Sequence, residues 1–185
     1  MARKKSGTLG KKTLKKSALV LGGFFNYIKS MAYKFNYNVN LCYLLNDKNQ
    51  VLLIMKKRGF GAGKWNGPGG KIKQNETPEQ AAIREVEEET GYQPSNLINL
   101  GYIEFIWPHQ EENNQICHIF ITKNFSGEIR ESEESLPEWW DINKIPLDKM
   151  WPDDTYWLLD ALAGKETKYR FFFDENNNYL KHEKI

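Results

Sequence analysis

Residues 70–92 read Gly-Lys-Ile-Lys-Gln-Asn-Glu-Thr-Pro-Glu-Gln-Ala-Ala-Ile-Arg-Glu-Val-Glu-Glu-Glu-Thr-Gly-Tyr, a glycine-led loop followed by an acidic helix. Glu85, Glu88 and Glu89 stand at positions i, i+3 and i+4, so they project from one side of that helix. Like charges at this spacing repel one another. A divalent cation removes the repulsion, and Mg²⁺ binds carboxylate oxygens together with substrate phosphates. The stretch therefore predicts metal-assisted phosphate chemistry, although a solvated, glutamate-rich surface helix has the same pattern.

Local signals specify both ends of this helix. Thr77 suits the N-cap of a Thr-x-x-Gln capping box, and Pro78 suits the first helical position. Gly91 can adopt the left-handed conformation that ends a helix. Ile83 and Val86 form its apolar side, which predicts that the helix packs against a sheet.

The spacing of this stretch resembles the Nudix box, Gly-x5-Glu-x7-Arg-Glu-U-x-Glu-Glu-x-Gly-U, in which U is a bulky aliphatic residue. The sequence departs from it at the last position, where Tyr92 stands. The resemblance implies an α/β (α+β) fold, the Nudix α/β/α sandwich with a mixed β-sheet. It also implies hydrolysis of a nucleoside diphosphate linked to another moiety, with Mg²⁺ or Mn²⁺ as cofactor.

The same resemblance implies a role for individual residues. The implied metal ligands are the Gly69 carbonyl, Glu85, Glu88, Glu89 and Glu134, and the three helix glutamates are also the implied catalytic residues. The structural positions of the box are Gly70, Glu76, Arg84 and Gly91. Arg84 is implied to pair with Glu76 and to hold the loop against the helix. Which glutamate deprotonates the attacking water stays open.

Charge is divided unevenly along the 185 residues. The formal net charge is +2, from 26 Lys and Arg against 24 Asp and Glu. Residues 1–30 hold eight basic and no acidic side chains, which leaves 18 basic and 24 acidic side chains, a charge of −6, in residues 31–185. We expect a basic N-terminal arm at 1–30, disordered or optional because Met31 would make a natural start, and a Nudix hydrolase domain at 31–185. The acidic body argues against stable nucleic-acid binding.

Cysteine usage and hydropathy exclude further classes. Cys42 and Cys117 lie in strand-like runs, which is typical of small core residues rather than disulfide partners. No stretch reaches the ~20 apolar residues of a membrane span. We expect a cytoplasmic monomer that binds a small-molecule nucleoside triphosphate.

Hydrophobic patterning predicts a mixed sheet with helices packed on it, in a chain long enough for one domain with a real core. A second helix is predicted at 153–163, with Trp157, Leu158 and Leu162 on its apolar side. The predicted strands are 36–45, 50–57, 97–107, 115–123, 137–142, 168–173 and 179–182.

Two more segments resemble one Nudix branch, the MutT homologues that hydrolyse oxidised purine nucleoside triphosphates. They are residues 55–67, Met-Lys-Lys-Arg-Gly-Phe-Gly-Ala-Gly-Lys-Trp-Asn-Gly, and residues 150–157, Met-Trp-Pro-Asp-Asp-Thr-Tyr-Trp. The resemblance implies substrate-binding residues at Asn40, Phe60, Asn66, Trp151, Asp153 and Asp154. Asn40 stands where the branch usually has a small hydroxyl residue. Because of this difference, the preference among oxidised bases stays open.

The residue types of this set suit a purine pocket. Trp151 offers an apolar face for stacking, and Asn66 has both a donor and an acceptor for a base edge. Burial and mutual repulsion would raise the pKa of Asp153 or Asp154, and a protonated carboxyl donates a hydrogen bond where an ionised one only accepts. The alternative is that one of these aspartates simply caps the second helix.

We therefore expect Mg²⁺-dependent hydrolysis of 8-oxo-dGTP and 2-hydroxy-dATP type nucleotides to the monophosphate and pyrophosphate, which sanitises the nucleotide pool. One alternative is a generalist Nudix pyrophosphatase acting on dinucleoside polyphosphates, nucleotide sugars or normal dNTPs. A catalytically silent Nudix-fold binding module and a nucleic-acid-binding protein that uses the basic arm are alternatives from other classes. A substrate panel separates the first three, and deletion of the arm tests the last.

Overall fold

The structure is a computed structural model that describes residues 33–185. Residues 34–185 form a compact unit. The predicted basic arm, residues 1–30, lies outside the described residues, so its disorder and the boundary at residue 31 stay predictions.

The largest sheet has five strands in the order β1-β6-β5-β9-β10. The pairs β1–β6 and β5–β9 are parallel, and β5–β6 and β9–β10 are antiparallel, so the sheet is mixed, as predicted. Its strands are β1 (Tyr37–Leu44), β5 (Ile98–Ile106), β6 (Gln115–Thr122), β9 (Thr167–Phe173) and β10 (Tyr179–Lys184). Each of these strands was predicted, with its ends shifted by no more than two residues.

Two smaller antiparallel sheets complete the described strands. One has the order β3-β2-β8, and the other pairs β4 with β7. Their strands are β2 (Gln50–Lys56), β3 (Trp65–Asn66), β4 (Tyr92–Ser95), β7 (Asn124–Gly127) and β8 (Ser135–Asp141). The sequence predicted β2 and β8, whereas β3, β4 and β7 were missed.

Helix α1 (Pro78–Thr90) has the predicted ends. The Thr77 hydroxyl accepts a hydrogen bond from the Gln80 N–H (3.2 Å), and the Gln80 side chain accepts one from the Thr77 N–H (2.9 Å). Gly91 ends the helix with φ of 80°. Helix α2 (Asp154–Leu162) is the second predicted helix, and short 3-10 turns lie at Glu111–Asn113, Ile142–Lys144 and Leu147–Lys149. No helix within residues 33–185 is long and apolar enough to cross a membrane.

The two α-helices pack on opposite faces of β1, which gives the predicted sandwich. Alternate residues of a strand point to opposite faces, and Cys42 packs with Ala82 and Val86 of α1. Tyr43 faces the other way and meets Trp157 of α2 edge to face, with ring centroids 6.1 Å apart.

One core prediction for α1 was wrong. Ile83 is only half-buried, while its neighbour Ala82 is fully buried. The sheet packs against the side of α1 that carries Ala82 and Val86. The small side chain of Ala82 permits the close contact with the sheet that the sequence had predicted for Ile83.

Candidate active site

The glycine loop before α1 runs in close contact with β1 and with the helix. A Cβ added at Gly69 would lie 2.1 Å from the carbonyl oxygen of Asn40 in β1. A Cβ at Gly70 would lie 2.7 to 2.8 Å from the carboxyl atoms of Glu85 in α1. Real Cβ atoms do not approach that closely, so residues with side chains would push the loop away from both elements. The glycines therefore allow the loop to contact both β1 and the α1 carboxylates.

Glu89 is a buried carboxylate at the inner side of α1. It is 5% exposed, and its Oε2 accepts a hydrogen bond of 2.8 Å from the Gly69 N–H. The pKa of Glu89 is raised to about 7, chiefly by burial, with smaller contributions from the nearby Glu85 and Glu134. The Gly69 N–H and the charge of Lys56 act in the opposite direction. A carboxylate in this setting is stabilised by any added positive charge.

Arg84 links the loop to the helix through its guanidinium group. Its Nε and Nη2 donate to the two carboxylate oxygens of Glu76, at 2.6 and 2.9 Å. Its Nη1 donates to Glu85 (2.7 Å) and to Glu88 (3.2 Å). Hydrogen bonding from Arg84 lowers the pKa of Glu76 to about 2. The geometry matches the structural role that the box resemblance implied for this pair.

Three of the implied metal ligands, Glu85, Glu88 and Glu134, form ion pairs with arginine. Within residues 33–185, no group of three or more His, Cys, Asp or Glu side chains is arranged to hold a metal ion. Glu85 is paired with Arg84, and Glu134 is paired with Arg58 at 2.6 Å. The donor set nevertheless fits a hard divalent cation, because it consists of carboxylate oxygens around the buried Glu89. The metal site stays a prediction.

A cavity of about 140 Å³ opens beside the glycine loop. Its walls include all six of the predicted substrate-binding residues, together with Gly69 and Gly70 of the loop. The six are Asn40, Phe60, Asn66, Trp151, Asp153 and Asp154. The structure thus brings together residues that are more than 100 positions apart in the chain, next to the box carboxylates.

Asp153 and Asp154 are buried side by side in this wall, each 2% exposed. The Asp153 Oδ2 accepts a hydrogen bond of 3.0 Å from the Trp157 Nε1–H, and the Asp154 Oδ2 accepts one of 3.0 Å from the Trp151 N–H. Asp153 occupies the N-cap position of α2, but its side chain makes no capping hydrogen bond. The helix-cap alternative therefore does not explain why two carboxylates are buried here.

Burial governs the protonation of this pair. It raises the pKa of Asp153 to about 6, with the Trp157 hydrogen bond and the Lys64 charge acting against it. Burial, followed by the charge of Asp153, raises the pKa of Asp154 well above its ordinary value. Two adjacent buried carboxyls cannot both ionise without a large cost, so the pair retains a proton near neutral pH.

Aromatic and amide groups form other parts of the wall. Phe60 is 61% exposed and stacks on Trp151 with ring centroids 4.9 Å apart. The Lys64 ammonium lies 5.1 Å from the Trp151 ring and donates to the Met150 carbonyl (3.2 Å). These contacts hold the indole of Trp151 in the cavity wall, and an indole face is suited to stacking on a purine.

Asn66 and Asn40 are the two amide side chains of the predicted set. The Asn66 Oδ1 accepts a hydrogen bond of 2.8 Å from the Gly67 N–H. The Asn40 Nδ2 donates to the Gly70 carbonyl (3.2 Å), so its Oδ1 is the atom left without a partner among the described residues. Asn40 is 1% exposed, and a buried acceptor in a cavity wall is satisfied when a ligand brings a donor to it.

Eleven further cavity residues were absent from the predicted site. Lys64 lies within the 55–67 segment and could have been included on sequence proximity. The aromatic and sulfur-bearing members come from β5 and the residue that follows it, and from β6, β9 and α2, so only the assembled fold brings them together. Trp157 and Cys117 were predicted as core residues, and both are buried core residues that also line the cavity. The eleven are Val39, Leu41, Lys56, Gly61, Lys64, Phe105, Trp107, Gln115, Cys117, Trp157 and Phe173.

Known proteins show the same combination of fold and box. Residues 34–161 match the NUDIX domain. The oxidized purine nucleoside triphosphate hydrolase of Danio rerio is 45% identical over 139 residues, which cover 75% of this chain and 88% of that protein. The protein of the same name from Mus musculus is 41% identical over 137 residues, covering 74% and 87%.

A solved structure supports the fold independently. The MutT protein from Bacillus halodurans superimposes with a TM-score of 0.69 at 24% identity, covering 80% of this chain and 96% of that one. At this identity the likeness concerns the fold alone. Because the NUDIX match spans most of the described residues and the two animal relatives align over most of their own length, this chain belongs to the Nudix family.

Proposed function

We propose that this chain hydrolyses oxidised purine nucleoside triphosphates, of the 8-oxo-dGTP and 2-hydroxy-dATP type, to the monophosphate and pyrophosphate. The observation that carries the proposal is the adjacent pair Asp153 and Asp154, buried in the wall of an aromatic cavity beside the box carboxylates. The names of the relatives from Danio rerio and Mus musculus support the same substrate class. The cellular role that follows is removal of damaged nucleotides from the pool.

A pair of carboxyls that shares a proton suits oxidised purines. Oxidation at C8 or C2 changes which ring positions donate and which accept hydrogen bonds. A protonated aspartate donates, and an ionised one accepts. Because burial raises the pKa of Asp153 and of Asp154, the pair can present one donor and one acceptor at neutral pH, and the proton can lie on either residue.

The phosphate end of the substrate would lie over α1. The residues that would hold a divalent cation are Glu85, Glu88 and Glu89, the Gly69 carbonyl and Glu134. Such a cation, Mg²⁺ or Mn²⁺, neutralises phosphate charge and lowers the pKa of bound water. Arg84 keeps the loop and the helix in register through Glu76, and so sets the distance between the cavity and the carboxylates.

A substrate panel tests the proposal. Purified protein with Mg²⁺ or Mn²⁺ is assayed for pyrophosphate release from 8-oxo-dGTP, 2-hydroxy-dATP, dGTP, a nucleotide sugar and diadenosine polyphosphates. We expect kcat/KM for the two oxidised nucleotides to exceed that for dGTP by about tenfold or more, because one hydrogen bond that only the oxidised base can make contributes up to ~1.5 kcal/mol. Equal rates across the panel would favour the generalist pyrophosphatase, and no hydrolysis at all would favour a silent binding module.

Variants of the aspartates link the panel to the pocket. Asp153→Asn and Asp154→Asn each remove a group that can change its proton, so the ratio of the two oxidised substrates to dGTP should fall in both. Binding of Mn²⁺, read by paramagnetic relaxation of water, should be retained. A ratio that stays unchanged in both variants contradicts the assigned role of the pair.

Three properties predicted from sequence remain part of the proposal: a cytoplasmic location, a monomeric state and no stable nucleic-acid binding. Light scattering of the purified protein tests the second. Gel shifts with single- and double-stranded DNA and RNA test the third.

A further inference from the structure

Trp107 forms part of the cavity wall and is held at both its backbone and its ring. It is 4% exposed, and its N–H donates to the Oδ1 of the buried Asn114 at 2.8 Å. Its indole stacks on Phe173, which also lines the cavity, with ring centroids 5.4 Å apart and an interplanar angle of 23°. The remaining polar group, the indole Nε1–H, donates to the Oδ1 of Asn177 at 3.0 Å.

Asn177 belongs to the tight turn between β9 and β10, far from the box in sequence. It has φ of 62°, a left-handed conformation that asparagine tolerates better than most residues. Asp174 organises the turn, because its carboxylate accepts from the N–H groups of Asn176 (2.9 Å) and Asn178 (2.8 Å). The side chain of Asn178 donates to the same carboxylate, and this bond lowers the pKa of Asp174. The turn therefore presents Asn177 in a defined position.

From this geometry we propose that Asn177 is a positioning residue for the base pocket. Its side-chain oxygen fixes the orientation of the Trp107 indole, and thereby the width of the slot that a purine enters. The χ2 torsion of a tryptophan has two broad preferred orientations, which differ by a flip of the ring. A hydrogen bond from the single indole N–H selects one of them. Removing the acceptor leaves a buried N–H without a partner, so the ring would turn toward another acceptor.

This positioning role is separate from the proposed substrate class. It rests on the proposed function only for the kinetic measurement, which uses a nucleotide substrate. It predicts an effect on binding rather than on the chemical step, because neither residue belongs to the box carboxylates. A slot of the wrong width weakens ground-state and transition-state binding alike, which raises KM and leaves kcat unchanged.

The first measurement follows the indole proton itself, independently of activity. In ¹H–¹⁵N spectra, Trp107→Phe identifies the Trp107 indole signal by its loss. We expect that signal to exchange slowly with solvent in the wild type and at least about tenfold faster in Asn177→Gly, because glycine keeps the left-handed turn but removes the acceptor. Asn177→Asp retains an acceptor oxygen and should restore slow exchange.

The second measurement is a kinetic double-mutant cycle with 8-oxo-dGTP. Asn177→Gly should raise KM by about threefold to tenfold, the range expected for one hydrogen bond, with kcat within twofold. In the Trp107→Phe background the same change should have no further effect, since the donor is already absent. Glu175→Gly, an exposed change in the same turn, should leave KM and indole exchange as in the wild type.

These results separate the inference from the proposed function. Unchanged indole exchange and unchanged KM in Asn177→Gly, or fully additive effects in the cycle, would overturn the positioning role. A wild-type protein that hydrolyses no oxidised purine nucleotide would instead defeat the proposed function, and the exchange measurement would still decide whether Asn177 holds the Trp107 ring.

Discussion

The backbone N–H of Gly69 donates to the buried carboxylate of Glu89, and this 2.8 Å bond joins the glycine loop to α1 at the point where cavity and box meet. The same glycine lies against the Asn40 carbonyl, so one residue contacts both the cavity wall and the acidic helix.

Glu89→Gln should abolish most turnover while leaving the fold intact. Glutamine keeps an oxygen that can accept from the Gly69 N–H but removes the charge that a divalent cation requires. We expect kcat to fall by about a hundredfold or more, in line with loss of a group that acts on the transition state, and the Tm without metal to stay equal or rise. Steady-state kinetics and calorimetry check this. Glu87→Gln, an exposed change on the same helix, is the control, and near-wild-type kcat in Glu89→Gln would contradict the role.

Asp153→Asn should stabilise the protein at alkaline pH and have little effect in acid. Because burial raises the Asp153 pKa from 3.8 to about 6, the folded state binds more protons than the unfolded state between these values. The free energy of unfolding therefore falls as pH rises through that window, and the penalty is complete above it. Asparagine removes the penalty and can still accept from Trp157. We expect the Tm difference from wild type to grow from near zero at pH 4 to several degrees at pH 8.

Calorimetry across that pH range checks this prediction. Asp148→Asn, an exposed substitution, serves as the control and should show no such trend. A Tm difference for Asp153→Asn that is independent of pH would mean that the carboxyl of Asp153 is ionised throughout the range in the folded protein.

Asn40→Ala should weaken substrate binding. The Oδ1 of Asn40 is buried in the cavity wall and has no hydrogen-bond partner among residues 33–185, so we expect it to accept a hydrogen bond from the substrate. Truncation removes that acceptor, so we expect KM to rise by about tenfold, the upper part of the range for one buried hydrogen bond. Comparison of the increase across the substrate panel identifies which part of the nucleotide brings the donor. Equal KM values for wild type and variant on every substrate would show that the acceptor is unused.

Deletion of residues 1–30 should leave kcat/KM for a nucleoside triphosphate within a few-fold, because no box or pocket position lies there. The eight basic side chains of the arm can concentrate a polyanionic substrate, so a modest rise in KM is expected at low salt and should vanish as salt screens the charge. Kinetics at two ionic strengths measure this. A large loss of kcat that persists in high salt would show that the catalytic domain includes the arm.

The sequence was most informative where signals are local. Thr77, Pro78 and Gly91 defined α1, since capping and helix-ending preferences act over a few residues. The strand β4 escaped prediction because it is only four residues long and contains Pro94, which cannot donate a ladder hydrogen bond. It pairs with β7 alone, so Pro94 lies in a two-stranded ribbon where such a gap is tolerated.

The site residues were likewise predictable where they lie in short continuous segments. Asn66, Asp153 and Asp154 lie in two short segments whose resemblance pointed to the pocket, and the cavity contains all three. Trp107 and Asn177 could not be found this way, because they meet only through the pairing of β5 with β9 and the turn that follows. Burial of Asp153 and Asp154 also depends on the assembled cavity wall. The sequence could therefore predict a raised pKa for them only on the condition that both are buried.

The strand order β1-β6-β5-β9-β10 has a consequence for synthesis on the ribosome. In the parallel β1–β6 pair, Tyr37 lies opposite Gln115. Strand β5 pairs with β6 on one side, so its other edge stays unpaired until β9 has been synthesised. Chains emerge from the N-terminus at about 5–20 residues per second. The carboxylates of α1 are therefore present several seconds before Phe173 and Asn177, and nascent chains hold an exposed β5 edge meanwhile. Chains truncated before residue 167 should aggregate through that edge rather than persist as less selective enzymes.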